Sequence, residues 1–175
     1  ESTDFQLYIY DGYLPQELPE TGHIIAFSPS SNAQLGLRSG EKIRPDGIRV
    51  DGQTSYSELM HYVKPEGYQI AEARKMNVPD GFQLLMADRA ENPLFIAGEW
   101  QGRKAALFSF SLHESNLPLK ADFPILIQNL LSWMLPPDMA FTGQIFAGEP
   151  LQLEPFPDVS QITITSPNGR EYRFE

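Results

Sequence analysis

Four residues of this chain have side chains suited to hydrolytic chemistry and sit where strands end. His113 and Glu114 stand side by side after the apolar run Lys104–Phe110. A histidine with a carboxylate beside it is the base and orienter of many hydrolytic sites. Ser28 follows the run His23–Phe27 and is the hydroxyl such a base would activate. Asp11 closes the run Phe5–Tyr10 and would line a pocket at the same edge. Open α/β sheets place their sites at the carboxyl ends of strands, beside helix starts.

The spacing argues against a reaction centre. Adjacent side chains on an extended segment point apart, which separates Glu114 from His113. Neither Gly-x-Ser-x-Gly nor Gly-x-Cys-x-Gly occurs, and Pro29 has no N–H to offer an oxyanion. Turn, loop or capping roles are therefore expected for Asp11, Ser28, His113 and Glu114, which together read as a vestigial pocket. A serine-type hydrolase using Ser28 and His113 is the alternative. His23, His61 and His113 have no short ligand spacing, and the chain has no cysteine. Asp46-Gly47 and Asp51-Gly52 are read as turns, because no calcium-loop pattern follows them. Neither a metal nor a cofactor is expected. Trp100, between two strand runs, is the candidate anchor for a partner or ligand, against the alternative of a packed rim aromatic. With Tyr8, Tyr10 and Tyr13 it carries a third reading, a carbohydrate or small-ligand binding domain.

Composition narrows the partners. The 175 residues carry a net charge of −10, and the 13 Lys and Arg are scattered. Polyanionic nucleic acid and anionic membrane surfaces are disfavoured. No apolar run reaches the length of a membrane span, and the run Phe123–Leu135 is broken by Gln128, Asn129 and Ser132. No secretory signal is expected, since the chain opens Glu1-Ser-Thr-Asp4.

The elements that must position these residues follow from hydrophobic period. Phe5–Tyr10, His23–Phe27, Phe82–Ala87, Pro93–Ala97 and Lys104–Phe110 read as strands, and Gly47–Val50 as a further short one. The unbroken apolar character of His23–Phe27 suits a strand buried on both faces. Gln101-Gly102 suits a hairpin turn. Residues 33–47 look irregular, Ser55–Val63 is a short helix that Ser55 would cap, and Tyr68–Ala73 is extended. Phe123, Leu126, Ile127, Leu130, Leu131 and Met134 follow helical spacing, with Asp122 as cap, Pro124 in the first turn and Pro136-Pro137 as the stop. After Asp138 the period changes to alternation, in Thr142–Leu153, Gln161–Thr165 and Arg170–Phe174. Asn168-Gly169 reads as a turn between the last two. Residues 1–138 are thus expected to form an α/β domain and 139–175 a β-rich appendage, the start of a sandwich-like unit.

The run Glu99–Phe110, then Leu112-His113-Glu114, then Phe123–Trp133, resembles the late part of class I glutamine amidotransferase-like domains. More closely, Tyr8–Pro15, Ser115–Leu119 and Phe123–Trp133 resemble a segment of bacterial membrane proteins. Those proteins join a BatA-like anchor, a von Willebrand factor A domain and an amidotransferase-like domain. The resemblance spans roughly residues 5–137. It implies a flavodoxin-like three-layer sheet with helices, whose first strands would precede Glu1. It also implies an extracytoplasmic domain, tethered to the membrane through segments outside this chain, that works by interaction with a protein partner; a cytoplasmic setting is the alternative. Catalytic members carry a cysteine on a sharp elbow after a strand. The matching position here is Ser28-Pro29-Ser30, and His113-Glu114 takes the place of the base without a thiol to activate.

Overall fold

The computed structural model describes residues 5–51, 55–135, 162–166 and 170–174. The chain divides into two compact units, Glu1–Pro136 and Pro137–Glu175. In the first unit the strands are β1 (Leu7–Asp11), β2 (His23–Phe27), β3 (Ser39–Ile43), β4 (Arg49–Val50), β5 (Ala73–Met76), β6 (Phe82–Ala87), β7 (Pro93–Trp100) and β8 (Arg103–Phe108). They are followed by the helix α1 (Phe123–Met134), the one α-helix among the described residues. The unit is a mixed α/β structure with a six-stranded sheet in the order β1-β2-β8-β7-β6-β4. β1, β2 and β8 run parallel, and β7, β6 and β4 each lie antiparallel to their neighbours.

The missing alternation in β2 has a direct cause, since both faces of the sheet are covered. Ile25 and Phe27 point to the face that carries α1, where they meet Phe95, Ala106, Phe108, Leu126, Leu130 and Met134. Ile24 and Ala26 point the other way, onto Leu107, Ile96, Leu14, Leu18, Leu35 and Leu37. The rings of Phe27, Phe108 and Phe95 stack in sequence, with centroids 4.8 and 4.1 Å apart. Leu126, Leu130 and Met134 are fully buried along α1, each contributing about 1.5–3 kcal/mol to its anchoring. Phe123 and Ile127 flank them as half-buried contacts. At the β7–β8 hairpin Gln101 and Gly102 both take positive φ, 49° and 72°, as a two-residue turn between twisted strands requires.

Three local expectations need correction. Residues 33–47 are not irregular throughout: β3 lies within them and pairs antiparallel with β5. Its sequence, Ser-Gly-Glu-Lys-Ile, is charged because the strand is mostly exposed; Lys42–Glu72 (2.5 Å) and Lys75–Glu41 (2.6 Å) are ion pairs beside the ladder. The segment after Ser55 is one 3-10 turn, Ser57–Met60, preceded by Tyr56 and without a side-chain cap. Asp122 holds the residue position before α1 but caps nothing. Its carboxylate instead accepts hydrogen bonds from the Lys64 N–H (2.7 Å) and the Tyr68 hydroxyl (2.9 Å).

In the second unit β9 (Ile162–Thr165) and β10 (Glu171–Phe174) pair antiparallel, and the Ser166 N–H closes onto the Arg170 carbonyl at 2.8 Å. The Asn168-Gly169 turn, the Thr142–Leu153 alternation and Pro136-Pro137 lie outside the described residues.

Candidate functional site

The parallel half of the sheet brings two of the four candidate residues to neighbouring strand ends. Asp11 is the last residue of β1 and sits opposite Phe27, and Ser28 follows directly. Asp11 is exposed beside Gly12, whose N–H bonds the Phe27 carbonyl. Ser28 is half-buried and takes a φ of 46°, unusual for a residue with a Cβ. That bend resembles the geometry that lifts a nucleophile off a strand. Its N–H, however, is shared between the carbonyls of Phe108 (2.8 Å) and Phe110 (3.1 Å), so it faces the sheet. Pro29, buried next to it, has no N–H.

His113 and Glu114 lie on the 3-10 turn Leu112–Glu114, and both are exposed. The His113 N–H donates to Ser111 Oγ (3.1 Å), and the Glu114 carbonyl accepts from the Ala71 N–H (2.7 Å). These bonds tie the turn to its surroundings through backbone atoms. Among the described residues no hydrogen bond joins the side chains of Ser28, His113 and Glu114. Trp100 is half-buried at the rim of a cavity of about 490 Å³ that Arg38, Asn77 and Asp80 also line. The Arg103 guanidinium covers one face of its ring at 4.0 Å. Among the described residues no three His, Asp or Glu side chains converge as metal ligands, and no described helix is long and apolar enough to cross a membrane.

A larger concavity lies elsewhere. A groove of about 1120 Å³ opens between the loop around Tyr56–Tyr62, the second half of α1 and the start of β8. Tyr56, His61, Tyr62, Lys104, Asn129 and Trp133 are among the residues that line it. The rings of Tyr56 and Trp133 meet edge to face, 5.2 Å apart. The Lys104 ammonium donates to the Trp133 carbonyl at 2.6 Å and lies 5.5 Å from its ring centroid. The Asn129 amide donates to the carbonyls of Leu59 (3.2 Å) and His61 (2.9 Å), which fixes the loop against the helix. Burial, and then its carboxylate neighbour Glu99, raises the Tyr56 phenol above its ordinary range. Sequence reasoning missed this groove. Tyr56 and Tyr62 belong to the segment read as a short helix, with no role assigned to either, and Trp133 lies beside the apolar stripe of α1. The one available signal was the aromatic density of the segment from Tyr56 to Tyr62.

Next to the groove, His23 Nδ1 accepts the Lys104 N–H at 3.0 Å. Burial, reinforced by the charges of Lys104 and Arg103, lowers the affinity of His23 for a proton. The bond from the Lys104 N–H fixes Nδ1 as the acceptor nitrogen of the ring.

No family model and no curated protein sequence matches the chain. Among solved structures, the cytoplasmic protein STM1381 from Salmonella typhimurium LT2 is similar over 65% of this chain and 55% of its own, at 12% identity and a TM-score of 0.50. The chain thus spans about half of that protein's length. Agd3, a carbohydrate deacetylase, aligns over 50% of this chain and 15% of its own, at 10% identity and a TM-score of 0.34. At these identities the likeness to STM1381 is one of fold alone.

Proposed function

We propose that this chain is a non-catalytic, amidotransferase-like interaction domain. In this reading its sheet is the core of a flavodoxin-like three-layer arrangement with α1 on one face. Its parent is an extracytoplasmic protein with a von Willebrand factor A domain, anchored in the membrane by segments outside this chain, and its partner is a protein. The observation that carries the proposal is the orientation of the Ser28 N–H. An acyl-transfer site needs N–H donors aimed at the developing oxyanion, beside a nucleophile bonded to its base. At Ser28 that donor is consumed by Phe108 and Phe110, and the next residue is Pro29. The exposed turn that carries His113 and Glu114 supports the same reading, because it is held through backbone atoms and Ser111.

Turnover of glutamine and of an activated acetate ester by the unaltered chain, Ser28→Ala and His113→Ala tests it. The expected result is the same background rate for all three. A hydrolytic turnover that both variants lose while folding normally would replace this reading with a serine-type hydrolase.

A further inference from the structure

We propose that the groove between the Tyr56–Tyr62 loop, α1 and β8 binds a neutral saccharide chain. The proposal goes beyond the interaction-module reading and does not depend on it. Four observations lead to it.

The first is Tyr62. Its ring is 73% exposed at the mouth of the groove, stacked on His61 with centroids 3.8 Å apart. Its backbone has a φ of 61°, a genuine outlier for a bulky residue. The loop therefore holds a large flat ring in water at the cost of backbone strain, and strain of this kind gathers at ligand-binding segments. The second is the inner wall, where Tyr56 and Trp133 form another aromatic surface. Flat rings at the mouth and on the wall suit a ligand with apolar C–H faces on successive units.

The third observation is the polar complement. Asn129 uses its amide N–H groups on Leu59 and His61, which leaves its Oδ1 as an acceptor. The Glu58 carboxylate and the Ser132 hydroxyl line the same groove and are exposed. Hydroxyl groups can donate to the first two and exchange bonds with the third. The fourth is charge. The Lys104 ammonium donates one of its N–H groups to the Trp133 carbonyl at the end of α1, where the helix presents its negative pole. Glu58 and Asp51 also line the groove, so among the described lining residues two carboxylates face the single lysine, Lys104, which disfavours an anionic ligand. Flat apolar faces, many hydroxyls and no negative charge are together met by a neutral pyranose chain.

The chain contains two tryptophans, so a Trp100→Phe background leaves Trp133 as the sole indole reporter. In that background Trp133 emission is titrated with cellotetraose, laminaritetraose, maltotetraose and chitotetraose, and with a proline-rich peptide as a competing ligand class. At least one tetrasaccharide is expected to shift the emission saturably, and Tyr62→Ala to weaken its binding about tenfold or more. Tyr62 is exposed, so this variant should keep its far-ultraviolet circular dichroism and its unfolding midpoint. A folded protein that gives no saturable shift with any of the four sugars overturns the proposal. So does binding that Tyr62→Ala leaves intact, or a shift produced by the peptide and by none of the sugars.

Discussion

Replacing Asp122 distinguishes a helix cap from a loop clasp. Asp122 precedes α1, yet its carboxylate bonds the Lys64 N–H and the Tyr68 hydroxyl rather than the first turn of the helix. Tyr68 is 7% exposed, and burial, followed by the carboxylate beside it, pushes its hydroxyl far above the usual phenol range. Asp122→Ala leaves that hydroxyl with no acceptor in a poorly hydrated place, at a cost of about 1–3 kcal/mol. The Lys64 N–H is at an exposed position where water substitutes, so it adds only a few tenths. The sum is about 2 kcal/mol. With an m-value of about 2 kcal/mol/M, the urea midpoint should fall by about 1 M at unchanged slope. Asp122→Asn keeps an oxygen acceptor and should recover at least half of the loss. Serine is a good cap but is too short to span to Lys64 and Tyr68, so Asp122→Ser should resemble alanine. In a double-mutant cycle Tyr68→Phe should remove most of the effect of Asp122→Ala. Full stability of Asp122→Ser beside a weakened Asp122→Ala would restore the cap and refute the clasp.

The lowered proton affinity of His23 means that the unfolded chain binds its proton first, so stability should fall as pH drops below about 6.5 and level off once the folded ring titrates; in urea titrations across that window, His23→Asn should flatten the slope, and an unchanged slope would remove His23 as its cause. A Cβ at Gly98 would lie 2.2 Å from the Gly81 carbonyl oxygen and 2.6 Å from Phe82 Cα, so Gly98→Ala should cost about 3 kcal/mol or prevent folding, whereas Gly102→Ala, with open space but a φ of 72°, should cost about 1 kcal/mol by the same denaturation assay. Leu126→Ala should cost about 2–5 kcal/mol, against less than about 0.5 kcal/mol for the 37%-exposed Ile125, and equal losses would mean that the face of α1 is wrongly assigned.

Legibility in the sequence tracked burial. The strands β2, β6, β7 and β8 and the helix α1 announce themselves because continuous or periodic apolar residues have one physical use, the core. The hairpin at Gln101-Gly102 was equally readable, since a turn with positive φ calls for a glycine such as Gly102. β3 was hidden because its exposed ladder is held by backbone bonds and ion pairs, and Ser-Gly-Glu-Lys-Ile has no alternation and a single apolar residue, Ile43. Asp122 misled for a related reason. An aspartate before a helix has the composition of a cap whichever way its carboxylate turns. That direction depends on Lys64 and Tyr68, which lie more than fifty residues away in the chain.

The groove was illegible for a topological reason. Sites in open α/β sheets sit at the carboxyl ends of parallel strands, which is where Asp11, Ser28 and the residues after β8 lie. Lys104 belongs to the opposite end: it is the second residue of β8, and the returning helix brings Trp133 down beside it. The two ends are therefore chemically separate. At the carboxyl end Ser28 turns its N–H into the sheet, while at the amino end an aromatic-lined space stays open. Substitutions can exploit that separation. Ser28→Ala and His113→Ala touch no groove-lining residue and should leave saccharide titrations unchanged, whereas Tyr62→Ala alters the groove and leaves the Ser28 turn as it is. A loss of saccharide binding in the Ser28 or His113 variants would show that the two ends are coupled through the sheet, and the assignment of separate roles to them would fail.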